Sequence, residues 1–171
     1  MRRMEFTSAS ANKYLRKLQD EKSRLLHTEQ EVCTYELSEG EETEPPSYDY
    51  EATRAKIDEI DNRARVVRNA LHGFNMRTVL PASGITIDEA LILLAQLSAK
   101  KDRLSSLASR QPKERIRERF FGSSSGSVEY RYANYDVARV EADYCAVADR
   151  IAELQLELDL VNQTEAFAVS F

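Results

Sequence analysis

A run of polar side chains near the middle of the sequence has the residue types that bind ligands or move protons. Within ten positions it contains amides, an imidazole, a guanidinium and a hydroxyl. A second threonine follows at the start of the next predicted helix, where free backbone amides attract anions. These features predict a small polar pocket at a helix end. The alternative is that Asn75, Thr78 and Thr86 only cap helix ends and fix the turn. The predicted pocket residues are Asn69, His72, Asn75, Arg77, Thr78 and Thr86.

Other catalytic and metal-binding patterns are weak in this sequence. His27 and Glu31 are four residues apart on a predicted helix and could share one metal ion, but a di-metal site in a bundle requires Glu-x-x-His on two helices. The stretch from Gly122 to Ser127 lacks the lysine of a phosphate-binding loop. No nucleophile is paired with a base by its spacing. The sequence therefore predicts no metal site, no cofactor and no catalytic residue, and it favours a non-enzymatic role.

A segment rich in arginine and aromatic residues follows the third predicted helix. Cations beside aromatic rings are typical of nucleic-acid binding, but Glu114 and Glu118 lie among them and the chain has a net charge of −5. We therefore predict no nucleic-acid partner, and we expect the arginines to pair with an acidic loop of the same chain or across a contact between copies. Aromatic residues are enriched at such interfaces. The predicted interface residues are Arg115, Arg117, Arg119, Phe120, Tyr130, Tyr132 and Tyr135.

Composition indicates one mostly helical domain. The chain has 171 residues, of which 42% are hydrophobic and 31% charged, and it has only five glycines and four prolines. That apolar content can fill one core, and so few glycines and prolines suit long helices. Cys33 and Cys145 are expected to pack inside helices as small apolar side chains. No signal peptide is recognisable, and no apolar run approaches the roughly 20 residues of a membrane span, so we predict a cytoplasmic protein with no membrane partner.

Four stretches have the apolar spacing of amphipathic helices. In the second stretch six apolar residues alternate at intervals of three and four, and in the fourth stretch eight do so, which is typical of coiled-coil-like packing. In the third, Thr86 and Glu89 form a predicted capping box, and the additional Ile92 and Leu93 indicate that its first half is the most buried segment. The predicted helices are residues 8–37, 49–76, 86–109 and 134–162.

The connections between these helices differ in character. Residues 38–48 are rich in glutamate and contain Pro45 and Pro46, so a long solvated loop is predicted. Residues 110–133 alternate apolar and polar residues on both sides of a Gly/Ser run, which predicts either a small β-hairpin or a flexible linker. The tail alternates again and could dock as an extended strand. Long helices joined in series pack best antiparallel, so we predict an all-α, antiparallel four-helix bundle in a single domain, residues 1–171.

Four short motifs resemble a family of uncharacterised bacterial helical proteins, some of whose members are labelled septicolysin. They are Ser38-Glu39-Gly40-Glu41, Asn75-x-x-Thr78, the segment from Gly84 to Leu91, and Val161-Asn162-Gln163-Thr164, and they occur in the same order. Family members have an Asn-x-x-Asn pair at the end of the second helix, and His72 stands at the first of those positions here. The resemblance implies a bacterial helical protein with no established reaction. The septicolysin label implies a membrane-lysing toxin, which a chain without a recognisable secretion signal does not favour.

These features leave three functional hypotheses. The first is a non-enzymatic scaffold or interaction protein that forms a homo-oligomer through apolar seams and the aromatic residues of the third connection. The second is a ligand-binding protein or enzyme that uses the polar pocket near His72. The third is a membrane-active protein like those labelled septicolysin. Self-association is the interaction that the sequence predicts, and it identifies no small ligand.

Overall fold

The structure is a computed structural model that describes residues 3–116 and 129–171, and these residues are mostly helical. The four helices are Ser8–Val32 (α1), Tyr50–Arg77 (α2), Ile87–Ala108 (α3) and Val137–Thr164 (α4). The four short strands are Arg3–Thr7 (β1), Lys113–Arg115 (β2), Tyr130–Tyr132 (β3) and Ala166–Ser170 (β4). The prediction of four long helices is confirmed. Two small antiparallel sheets, β1–β4 and β2–β3, mean that the described residues are not purely α-helical.

The chain divides into two compact units. The first consists of Met1–Thr78 and Asp159–Phe171, and the second is Val79–Leu158. Helix α4 contributes residues to both units, because the division falls within it. The closure of all four helices into one antiparallel bundle, and with it the single domain, stays a prediction.

In the first unit, α1 and α2 pack side by side and run antiparallel. Lys22 Nζ lies 2.6 Å from Asp61 Oδ2, and residues nearer the start of α1 lie beside residues nearer the end of α2. Helix α1 begins at a capping box in which Thr7 and Ser10 each accept a backbone hydrogen bond from the other. It ends at Val32, five residues before the predicted end, where the run from Val32 to Tyr35 has lower helix propensity than the run from Glu29 to Glu31.

The sheet of the first unit is formed by β1 and β4. The register places Phe6 opposite Phe167 and Met4 opposite Val169. Phe6 and Val169 are buried with Ala11 of α1 and Val67 of α2, so this ribbon covers one end of the helix pair. The tail was expected to dock as an extended strand, and it does. Its partner β1 was not predicted, since a five-residue segment has too few alternating positions to identify a strand.

The second unit contains α3, the β2–β3 pair and most of α4. Its core joins Leu104 of α3 to Val147 and Ile151 of α4, and further apolar residues of both helices pack around them. The predicted burial of the first half of α3 is wrong, because Leu91 and Ile92 are 49% and 55% exposed. These two positions follow Ala90, which is buried, by about 100° and 200° around the helix, so they turn away from the core.

The connection between α3 and α4 forms a hairpin at its two ends. Lys113 pairs with Tyr132 and Arg115 pairs with Tyr130, and the N–H of Ile116 donates to the carbonyl oxygen of Glu129 at 2.9 Å. The described ends therefore favour the hairpin over the flexible linker. The Gly/Ser run between them falls within residues 117–128, which lie outside the described residues.

The expectation for the two cysteines is wrong. Cys33 is the C-cap of α1 and Cys145 lies on α4, and both are exposed. A small apolar residue in an amphipathic helix is compatible with either face, so spacing alone did not distinguish them.

Candidate functional site

The residues of the predicted polar pocket have different structural roles. Asn69 and His72 line a groove between α1 and α2. The Arg77 guanidinium folds back over Gly73, where its Nη1 would lie 3.2 Å from an added Cβ atom. Thr78 is the C-cap of α2, and its N–H donates to the carbonyl oxygen of Phe74. The Asn75 Oδ1 atom is buried and has no hydrogen-bond partner among the described residues.

Thr86 belongs to the second unit, where it caps α3. Its hydroxyl accepts a hydrogen bond from the N–H of Glu89 at 3.2 Å, and its own N–H donates to Glu89 Oε2 at 2.8 Å. This backbone hydrogen bond from Thr86 is the main reason why the pKa of Glu89 lies below its usual value. The capping interpretation of Thr86 is confirmed. At this helix N-terminus, the Thr86 N–H is therefore bound by a carboxylate of the chain itself and the Glu89 N–H by the Thr86 hydroxyl.

A second carboxylate fills the turn before α3. The turn is closed by hydrogen bonds from Leu80 N to Ile85 O and from Gly84 N to Leu80 O, and Gly84 takes a φ of +70° that favours glycine. Glu157 of α4 accepts hydrogen bonds from the backbone N–H groups of Ala82 and Ser83. Desolvation raises the pKa of Glu157, but these hydrogen bonds outweigh it and the net pKa is lowered. Glu157 therefore holds this turn against α4.

The groove between α1 and α2 has an apolar floor and a polar rim. Its volume is about 490 Å³. The floor is formed by Leu15, Leu18, Ile60 and Ala64, and the rim by Gln19, Lys22, Asp61, Arg65, Arg68, Asn69 and His72. Asn69 and His72 were predicted from the sequence, whereas Arg65 and Arg68 were not, because they resemble ordinary solvated residues of a helix. The available signal was the spacing of Arg65, Arg68 and His72 at intervals of three and four residues, which places them on one side of a helix.

Tyr48 connects the acidic loop to α1. Its hydroxyl donates to Glu29 Oε1 at 2.5 Å beside a cavity of about 260 Å³ that includes Arg24 and Asp49. The hydrogen bond to Glu29, with burial and the negative charge of Glu29, raises the pKa of Tyr48 to about 12. The predicted loop is therefore attached to the first unit near its end. Nothing in the composition of the loop identified this contact.

Four of the seven predicted interface residues lie on or beside the hairpin. Arg115, Tyr130 and Tyr132 are exposed, and Lys113 Nζ lies 4.1 Å from the ring centroid of Tyr130. Tyr135 is different, because its hydroxyl donates to the carbonyl oxygen of Leu107 at 2.8 Å within the second unit. The other three predicted residues lie outside the described residues; they are Arg117, Arg119 and Phe120.

Helix α4 carries apolar side chains on two faces. The predicted seam is confirmed, since five of its residues from Val147 to Val161 are buried. On the opposite face, Leu156 and Leu160 are 72% and 60% exposed. Exposed small residues continue this second row toward the start of the helix at Ala138, Ala142, Cys145 and Ala152. We call this row, from Ala138 to Leu160, the outer stripe of α4.

The described residues contain neither a metal-binding cluster nor a helix suited to spanning a membrane. Within residues 3–116 and 129–171, no group of three or more His, Cys, Asp and Glu side chains is arranged to hold a metal ion. His27 Nε2 lies 3.4 Å from Glu31 Oε1 as an exposed pair. None of the helices in the described part of the chain is both long and apolar enough to cross a membrane.

Comparison with known proteins identifies the fold alone. No family model matches the chain, and no curated protein does. The chain is similar to a crystal structure of a functionally unknown conserved protein from Corynebacterium diphtheriae, with a TM-score of 0.64 and 19% sequence identity. The match covers 96% of this chain and 99% of that one. The resemblance to proteins labelled septicolysin stays a prediction.

Proposed function

We propose that this chain is a non-enzymatic interaction protein that pairs with a second copy of itself through the outer stripe of α4. The observation that carries the proposal is the exposure of Leu156 and Leu160, one turn apart on a helix whose opposite face is already buried. Large apolar side chains in contact with water cost free energy, and a contiguous row of them marks an interaction surface. The second copy is the partner that this row fits best.

The side chains of the outer stripe differ in size between its two halves, so two copies of the stripe can fit together. Its first half has small side chains and its second half has two exposed leucines. When two α4 helices pair antiparallel about a two-fold axis, each leucine of one copy faces a small residue of the other. Leu160 then lies opposite Ala138, and Leu156 opposite Ala142. Such pairing of large with small residues allows helices to approach closely.

One acidic residue interrupts the apolar row near the middle of the stripe. It is Asp149, and its side chain is exposed. The two-fold axis that places Leu160 opposite Ala138 and Leu156 opposite Ala142 passes at position 149, so the Asp149 carboxylates of the two copies lie near each other and repel. The apolar contacts of the two leucines therefore have to outweigh this repulsion.

The test is the molar mass in solution, measured by light scattering after size exclusion over a range of protein concentrations. We expect a concentration-dependent dimer for the natural sequence and a monomer for the L156E/L160E variant. The matched control is L37E, which places a glutamate at another exposed leucine and should leave the dimer intact. A natural protein that stays monomeric at millimolar concentration, or an L156E/L160E variant that stays dimeric, would overturn the proposal.

The predicted interface on the hairpin is a competing contact that the same measurement separates. Tyr130 and Tyr132 are exposed, and a Y130A/Y132A variant removes both rings. We expect this variant to dimerise normally. Loss of the dimer in Y130A/Y132A, with L156E/L160E unaffected, would assign the contact to the hairpin and refute the outer stripe as the interface. Cytoplasmic localisation and membrane activity stay predictions, and dye release from liposomes tests the latter.

A further inference from the structure

The groove between α1 and α2 differs in charge from the rest of the protein. The chain has a net charge of −5, yet Lys22, Arg65 and Arg68 line this groove with a single carboxylate, Asp61. Lys22 pairs with Asp61 at 2.6 Å. That ion pair leaves two arginine charges in excess on one wall of the groove.

Neither arginine has its charge neutralised by the described residues. Arg65 Nη2 donates to the amide oxygen Asn62 Oδ1 at 2.7 Å, which does not carry a charge. Arg68 has no carboxylate oxygen within 4.0 Å in residues 3–116 and 129–171. The two residues are three apart on α2, so their side chains are neighbours and repel each other. An anion between them removes that repulsion.

The paired arginines favour one class of anion. Two guanidinium groups about one helical turn apart present planar forks that bind phosphate or carboxylate oxygens. The excess of two positive charges matches a phosphate monoester, which carries about −1.5 to −2 near neutral pH, better than a carboxylate with −1. His72 follows Arg68 by four residues on the same face and adds a further donor at the end of the groove.

The apolar floor of the groove favours a ligand that has an apolar group attached to its phosphate. Leu18 and Ile60 are buried there, and Leu15 and Ala64 are half-buried. A volume of about 490 Å³ lies in the range of roughly 300–1,000 Å³ that small-molecule sites occupy. Bare inorganic phosphate would leave the half-buried Leu15 and Ala64 in contact with water. An apolar group attached to the phosphate would cover them.

From these observations we propose that the α1–α2 groove binds a small organic phosphate monoester, with the phosphate on Arg65 and Arg68 and its apolar body on the leucine and isoleucine floor. This site is separate from the outer stripe of α4, so failure of one proposal does not affect the other.

The experiment is a titration with phenyl phosphate, followed by isothermal calorimetry and by amide NMR. We expect saturable binding, with amide shifts confined to residues 15–22 and 60–72. Inorganic phosphate lacks the apolar body and benzoate lacks the second charge, so each should bind about tenfold or more weakly. No saturable binding of phenyl phosphate at millimolar concentration would overturn the proposal. Equal binding of benzoate would refute the match to a dianion.

Two arginine variants distinguish the loss of this binding site from a general loss of positive charge. R65Q/R68Q should weaken phenyl phosphate binding by about tenfold or more, because two charge-assisted contacts are lost. The control R63Q removes an arginine of the same helix whose charge is paired with Glu59, and it should bind like the natural protein. Equal affinities of R65Q/R68Q and R63Q would overturn the proposal. The single variant R68Q gives the same comparison if the double variant has an altered circular dichroism spectrum.

Discussion

Two leucines on α4 allow a direct measurement of which face of this helix is internal. Leu154 is fully buried, whereas Leu156 is 72% exposed. Truncation of a buried leucine to alanine loses about 1.5–3 kcal/mol of transfer free energy, and the cavity that remains brings the total to about 2–5 kcal/mol. The same truncation at Leu156 loses only the buried quarter of that transfer term, which is about 0.5 kcal/mol. L154A should therefore destabilise the protein by about 2 kcal/mol or more beyond L156A.

The assay is urea unfolding followed by far-ultraviolet circular dichroism, at a protein concentration low enough for the monomer. L154A should lower the urea midpoint with an unchanged slope, because the change affects stability and not the surface exposed on unfolding. In a thermal scan, a loss of about 3 kcal/mol corresponds to roughly 6–12 °C for a chain of this size. Equal losses in L154A and L156A, or a loss below about 1 kcal/mol in L154A, would refute the assignment of the inner face.

Three further predictions concern hydrogen bonds of single side chains. The raised pKa of Tyr48 means that its hydrogen bond to Glu29 stabilises the fold fully below pH 10 and is lost as the pH rises through about 12. In an ultraviolet titration, Y48F should therefore remove the tyrosine ionisation step at the highest pH. The lowered pKa of Glu157 means that its contribution is present above the ordinary glutamate pKa and is lost as the pH falls through the lowered one. The acid decline of the melting temperature should therefore be shallower in E157Q, and an unchanged decline would contradict this. T86A removes the hydroxyl that caps α3 and should cost about 1 kcal/mol in urea unfolding, whereas a loss near zero would show that Glu89 alone holds this helix end.

The helices were predictable because their signal is periodic and long. In α2 and α4 the apolar residues repeat at intervals of three and four over many turns, and Ile60, Val67, Leu154 and Leu158 are buried as that repeat requires. The start of α3 was equally predictable, since the Thr86 capping box depends only on residues that are close in sequence. Local and periodic features therefore identified the helices.

Contacts between distant residues were not predictable from one sequence. The pairing of β1 with β4, the acceptance of turn amides by Glu157 and the hydrogen bond of Tyr48 each join segments that the chain brings together only by folding. The same limit affected the predicted pocket, since residues close in sequence at the end of α2 point in different directions once the helix forms. His72 was assigned to a turn with Thr86, yet it lines a groove whose other wall is α1.

The outward faces of α2 and α4 give the strongest argument that α4 has a partner. Between the first and last turns of α2 the exposed side is mostly charged or polar, with Glu59 and Arg63 paired along the helix. The exposed large apolar side chains of α2, Tyr50 and Met76, lie in those end turns. On α4, Leu156 and Leu160 are exposed before the last turn of the helix. The difference follows if the outward face of α4 is covered in the assembled protein and that of α2 is not.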